Sequence, residues 1–297
     1  MVSTYGRGLY ILRDVTALAD GATATPASEP RLFAPHLAFR QSRTGRADFT
    51  FELPRAENNV QVTVLDESGS EVRAYTMRAH AGINRVPWDL RYEPAEQVAL
   101  RTVAPDNPYI FDEPRFNGQP TRPILHWGIE APVRTGPIAA PGRYTVRLSV
   151  DGKTFNEPFV VIRDPAMPSS DAELVASTNA QVRVRNDMND AVSMINAIEI
   201  MRKSIEDEKA ANAGKSDIVS ALDRLDTQML GVEHQLLSRS DLQSDDKYFV
   251  EASKVYTGLL WLSGEIGSGA GDVAGGAGYR PTTQAMETLG RLEAGLA

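Results

Sequence analysis

Residues 140–155 read APGRYTVRLSVDGKTF. From Tyr144 to Val150 apolar and polar side chains alternate, which is the period of a strand with one buried face. Asp151-Gly152 follows at once, and that dipeptide suits both left-handed positions of a type I′ turn, so 143–150 is expected to pair with 153–162. Working outward, the same alternation occurs in Phe49-Thr50-Phe51-Glu52-Leu53 and in Val60-Gln61-Val62-Thr63-Val64. Asp66-Glu67-Ser68-Gly69 supplies a longer turn between 60–65 and 71–77, and Gly82–Leu90 and Leu37–Gln41 read as further strands. Strands this short, with turn signals between them, predict an immunoglobulin-like or fibronectin-III-like antiparallel β-sandwich over 36–163.

Beyond Pro165 the pattern changes. Of the 18 prolines 16 lie at or before Pro165, and proline breaks helix interiors, so the second part is expected to be helical. Ser170-Asp171-Ala172-Glu173 is a capping box, followed by Met188, Ala191, Ile195, Ile198, Met201 and Ile205 at helical spacing. Ser216 is read as the cap of a second helix whose stripe is Ile218, Leu222, Leu225, Met229, Val232 and Leu236, steps of four and three that call for a partner helix. A third helix is expected after Ser244, carrying Phe249, Ala252, Tyr256, Leu259 and Ser263, and a fourth from Pro281-Thr282-Thr283 through Met286, Leu289, Leu292 and Leu296. Together these predict an α+β, multidomain chain in which the sandwich is followed by an up-and-down helical bundle over 169–297, with a Gly/Ala-rich linker at 264–278.

Composition narrows the function. The chain has 297 residues and a formal charge of −8. Residues 1–165 carry 19 basic and 19 acidic side chains while 166–297 carry 12 and 20, so the excess acid belongs to the helical part. That balance argues against nucleic acid as a partner, because such binding needs a basic face. No apolar run is long enough to span a membrane. Without cysteine there are no disulfides, thiolate metal sites or cysteine nucleophiles. His36, His80, His126 and His234 are scattered without metal-ligand spacing, and no nucleophile elbow or calcium loop is present, so neither metal nor cofactor is called for. Gly214-Lys215-Ser216 and Gly267-Ser268-Gly269-Ala270-Gly271 lack the strand that a phosphate-binding loop would follow, and are read as helix stop and linker.

Residues 93–138 hold eight prolines with Tyr109, Phe111, Phe116, His126 and Trp127. These aromatics either pack the loop onto the sandwich or another domain, or form an exposed surface for sugar or protein recognition; Tyr109, Phe111, His126 and Trp127 are the binding candidates. An enzymatic variant places Asp112 or Glu113 beside Trp127 and Tyr109, an acid next to a stacking platform. Acidic runs such as Glu206-Asp207-Glu208 are read as solvated charge.

Three segments together resemble a known family. TYGRGLYILRDVTAL (4–18) is similar to the closing propeller strand of bacterial sortilin-like, BNR-repeat proteins, although Arg13 stands where that family commonly has Asp. AGINRVPWDLRY (81–92) and APGRYTVRLSVDGKTF (140–155) resemble the Ig-like module that follows that propeller. The resemblance implies that 1–20 is a remnant of the last blade strand, 21–35 a linker, and the remainder an accessory region. No Asp-box of the kind that marks the blades occurs here, so no hydrolase residue carries over. Within the matched segments Trp88, Asp89, Arg91, Gly142 and Tyr144 are expected to be structural anchors, with Asp89 and Arg91 forming an ion pair or capping turn amides. The expected function is a non-catalytic interaction region of a larger exported propeller protein. Its partner would be the propeller or another protein, and its location extracellular or periplasmic. Residues 1–20 contain no signal peptide, so such a chain would start upstream. The alternative is a carbohydrate-binding module or part of a glycoside hydrolase-like protein.

Overall fold

The computed structural model describes residues 2–4, 8–10, 28–41, 44–125, 128–243, 251–270 and 274–297. The fold is mixed α/β, an eight-stranded sheet followed by helices, and the chain divides into two compact units: residues 1–93 with 139–168, and residues 94–138 with 169–297.

In the first unit β1 (Val2–Thr4) and β2 (Gly8–Tyr10) pair antiparallel with each other as a separate two-stranded sheet. The main sheet contains β3 (Arg31–Leu32), β4 (Ala38–Arg40), β5 (Gly45–Leu53), β6 (Glu57–Leu65), β7 (Glu71–Ala79), β8 (Gly82–Trp88), β9 (Gly142–Val150) and β10 (Lys153–Arg163). Their order is β3-β5-β4-β10-β9-β6-β7, and β8 also pairs with β5. The ladders are antiparallel except β4–β10, which is parallel. The β9–β10 hairpin turns at Asp151 and Gly152, whose φ angles of 50° and 72° lie in the left-handed region that this two-residue turn needs. At the β6–β7 turn Asp66 Oδ1 accepts from the amides of Ser68 and Ser70, both at 2.9 Å.

β5 has two sets of partners. Gly45 and Arg46 pair with Arg40 and Phe39 of β4, whereas Ala47–Leu53 pair with Trp88–Gly82 of β8. Phe49, Phe51, Val60, Val62, Val64, Val86, Trp88, Val146, Leu148 and Phe159 join one buried core. Part of the polar side is buried as well, at Thr50, Glu52 and Thr63, whereas Gln61 and Arg147 are exposed.

The second unit is organised on α2 (Asp171–Ala211), which packs with α3 (Ser216–Leu236), α5 (Val255–Ser263) and α6 (Thr283–Leu296); α1 (Glu130–Arg134) and α4 (Arg239–Leu242) are short. Ser170 and Glu173 form the capping box, and Thr282 Oγ1 accepts from Ala285 N at 3.1 Å to start α6. Four details depart from the sequence reading. Lys215 rather than Ser216 occupies the α3 N-cap, with no side-chain bond. A second capping box, Ser238 with Asp241, starts α4. Helix α5 begins at Val255, so Ala252 precedes it and Phe249 lies outside the described residues. Met201 of the α2 stripe, and Ile218, Leu225 and Val232 of the α3 stripe, are exposed.

The described part of 264–278 is packed, not a linker. Gly264–Ser268 form a π-helical turn, with Gly264, Ile266, Gly267, Ala270 and Ala277 buried. A Cβ on Gly275 would lie 2.1 Å from the Gly267 carbonyl oxygen, so glycine serves here for backbone approach. Ser177 Oγ donates to Ala277 O at 3.0 Å, and Gly276 N donates to Glu265 O at 2.7 Å. Among the described residues no helix is long and apolar enough to cross a membrane.

Candidate functional site

In the first unit Trp88 is fully buried. Its ring lies 5.6 Å from Tyr144, 6.0 Å from Phe159 and 6.3 Å from Phe49, and its Nε1 donates to Arg91 O at 2.8 Å. A large ring with a single donor is thereby fully used. Asp89 Oδ1 accepts from the Arg91 amide at 3.1 Å, a turn cap next to Leu90, whose φ is +57°. Burial lowers the pKa of Arg91. Tyr144 Oη donates to Ala140 O at 2.8 Å, four residues upstream, and burial raises its pKa. Gly142 opens β9 ahead of it. Arg40 Nη1 donates to Ala139 O at 3.0 Å inside this core, and burial brings its pKa down to about 10.

Residues 94–138 belong with the helices. Tyr109 is 71% exposed, whereas Phe111 is half-buried against Ile110 and Phe116 with the Arg122 guanidinium 5.7 Å from its ring centre. The two described candidates are therefore divided between solvent and core, and His126 and Trp127 lie outside the described residues. Asp112 is exposed; Glu113 accepts from Arg115 Nε at 2.7 Å and from Asn107 Nδ2 at 3.1 Å.

The most unusual chemistry lies where residues 96–103 run along α2. An extended segment must find acceptors for its amides, and here they are helix side chains. Glu96 N donates to Asn189 Oδ1 and Ala99 N to Asn196 Oδ1, both at 2.8 Å. Arg101 N and Thr102 N donate to Glu199 Oε2, the latter at 2.9 Å, and Val103 N donates to Glu206 Oε1 at 3.0 Å. Positions 189, 196, 199 and 206 are separated by seven, three and seven residues, which puts them on one side of a helix. The sequence reading missed this row. Its signal is two asparagines and two glutamates recurring at helical spacing beside a proline-rich stretch that needs acceptors, and Glu206 is one of the carboxylates read as merely solvated.

Behind the row lies a buried ionic cluster. Arg202 Nη1 is 2.6 Å from Glu233 Oε2 and 3.3 Å from Glu199 Oε1, and Arg202 Nε is 2.9 Å from Asp226 Oδ1. Thr102 Oγ1 donates to Glu199 Oε1 at 2.6 Å. Glu199 and Glu233 have no exposed surface. Burial, and then the neighbouring Glu199 carboxylate, push the Glu233 pKa up to about 8. Burial opposes the charge on Arg202, but Glu233, Asp226 and Glu199 together outweigh it and raise its pKa. Burial lowers Arg122 to about 10. An acid held neutral near pH 7 suits proton transfer, yet this one is sealed from any substrate. Among the described residues no group of three or more His, Cys, Asp or Glu side chains is placed to hold a metal ion.

The cluster makes stability depend on pH. Between pH 4.5 and about 8 the folded chain holds a proton on Glu233 that the unfolded chain has lost, so stability falls as pH rises through this window. Asp187 titrates at about 6, and His234 below its usual value, so the interval from pH 7 to 8 isolates Glu233. Urea unfolding of the helical unit should lose roughly 1 kcal/mol across that interval, and Glu233→Gln should abolish the loss. An unchanged slope in the variant would assign the dependence to another group.

No family model and no curated protein matches the chain. Among solved structures it is similar to Parabacteroides merdae β-glucuronidase with glycerol in its active site, at 16% identity over 45% of this chain and 13% of that one, TM-score 0.22. A second structure of that enzyme gives 17% identity, 45% and 14% coverage and TM-score 0.22. FlgD from P. aeruginosa gives 15% identity over 46% of this chain and 78% of that one, TM-score 0.20. At these scores the overlaps decide neither family nor activity.

Proposed function

We propose that this chain is a non-catalytic accessory region, an Ig-like sandwich followed by a helical bundle, that supports or docks partners for a sortilin-like propeller in an exported protein. The observation carrying this reading is that the groups best suited to chemistry are consumed by the fold: Glu199 and Glu233 are sealed around Arg202, and Trp88 is enclosed with its only donor satisfied. The sandwich assignment draws support from β5, which pairs with β4 at one end and β8 along the rest, and from the Tyr144 hydroxyl bonded four residues back, the arrangement of a tyrosine corner. The test is the reading frame upstream of the Met1 codon. Asp-box repeats behind an export signal are the expected result, and a nearby in-frame stop would overturn the propeller assignment. Turnover of any glycoside by the isolated chain would overturn the non-catalytic one.

A second reading, a carbohydrate-binding module within a glycoside hydrolase-like protein, rests on the exposed Tyr109 ring. It requires that an oligosaccharide retained by the chain be lost in Tyr109→Ala.

A further inference from the structure

A cleft of about 490 Å³ opens between residues 176–183 of α2 and residues 280–286 at the start of α6. That volume lies within the range of small-molecule sites. Its floor is apolar because α2 carries alanines where it borders the cleft: Ala180 is buried, Ala176 is half-buried, and Met286 of α6 packs on the same core. Ala176 and Ala180 are one helical turn apart, so two short side chains in succession leave space that larger ones would fill.

The rim is basic. Arg183 comes from α2 and Arg280 stands just before Pro281 at the entry to α6, while no carboxylate lines the cleft. This departs from the surroundings, since acids outnumber bases 20 to 12 over residues 166–297. Both guanidinium groups keep donors to spare. Glu293 holds Arg183 through Nε and Nη2, which fixes the group and leaves Nη1 without an acceptor among the described residues. Asp187 and Glu293 sit beside Arg183 but outside the lining. Arg280 is exposed and makes no ion pair among the described residues. Glu173, the acid within its electrostatic reach, gives its carboxylate to the Ser170 amide and hydroxyl, both at 2.8 Å. Thr283, also in the lining, is the first residue of α6, and opening amides of a helix have no acceptor within it, so the same corner adds partial positive charge.

We infer that this cleft binds a small organic anion, a carboxylate on a compact apolar body, with the carboxylate at Arg183 and Arg280 and the body on Ala176, Ala180 and Met286. A cation would face two guanidinium groups, a neutral molecule would leave their donors unused, and a bare anion would leave the floor uncovered. The inference concerns one cleft of the helical unit, so it stands or fails independently of any propeller or glycan.

Octanoate, octanol, octylamine and acetate separate the two halves of the ligand. Each is titrated into the full chain at pH about 7.5, where octanoate is ionised, and followed by backbone amide chemical shifts. Octanoate is expected to saturate a single site with a Kd below about 1 mM, its shifts centred on Asn179 and Thr283, and the other three should bind at least about tenfold more weakly. Arg280→Gln should weaken octanoate more than about fivefold by removing a charged donor. Ala176→Leu should weaken it more than about tenfold by filling the space, and both variants should keep the wild-type far-ultraviolet circular dichroism because neither side chain is buried. No saturation by about 5 mM octanoate overturns the inference. So does octanol binding as tightly as octanoate, a shift map centred elsewhere, or an affinity that Arg280→Gln leaves unchanged. If a variant misfolds, the headgroup series and the shift map on the wild type decide alone.

Discussion

Arg202→Met is expected to destabilise the helical unit by about 3–5 kcal/mol, read from urea unfolding by circular dichroism at 222 nm. Arg202 is 4% exposed at its side chain and bonds Glu199, Glu233 and Asp226. Methionine fills similar volume, so little of the loss comes from a cavity. It comes instead from leaving Glu199 without its cation and the Glu233 carboxyl without its Arg202 donor, both groups having no exposed surface. Glu199 also accepts from Thr102 N and Oγ1, and losing its counter-charge should loosen 96–103 from α2. Amide exchange at Thr102 should therefore accelerate before the helices melt. Since either substitution removes the Arg202–Glu233 contact, Arg202→Met with Glu233→Gln should lose less than the two single losses combined, by about 1–3 kcal/mol. Strict additivity would mean that Glu233 does not act through Arg202.

What the sequence made legible was set by how local the cause was. The β9–β10 hairpin needs only alternation and an Asp-Gly pair, and Ser170 with Glu173 needs four consecutive residues. The double role of β5 is not local: Gly45–Leu53 reads as one strand, and only the three-dimensional arrangement gives its first two residues to β4 and the rest to β8. The glycines of 264–278 were ambiguous for a physical reason, since a missing Cβ permits both flexibility and close backbone approach, and what lies opposite Gly275 decides. The ionic cluster was hidden because Glu199 and Glu233 sit on helices where carboxylates are usually wet; Glu199 meets Thr102, about a hundred residues away in sequence, and Glu233 meets Arg202 of the neighbouring helix. Among the aromatics, nothing local separates exposed Tyr109 from packed Phe111.

Trp88→Ala is the second substitution with a large expected effect, about 3–5 kcal/mol on unfolding of the sheet unit. Three rings surround the indole, and Trp88 pairs with Ala47 at the end of the β5–β8 ladder, so its removal opens a cavity where β8 is held to β5. Trp88→Phe should cost less, because it keeps part of the volume and forfeits mainly the Nε1 bond to Arg91 O. Tyr144→Phe leaves the ring on Trp88 and removes only the hydroxyl donated to Ala140 O, for about 1 kcal/mol. The order of these losses tests the role itself. A Trp88 placed for ligand recognition would give an alanine variant of nearly unchanged stability with altered binding, whereas an anchor gives the reverse. Since the side chain has no exposed surface and its only donor is already bonded, the unfolding midpoint is where the change should be seen.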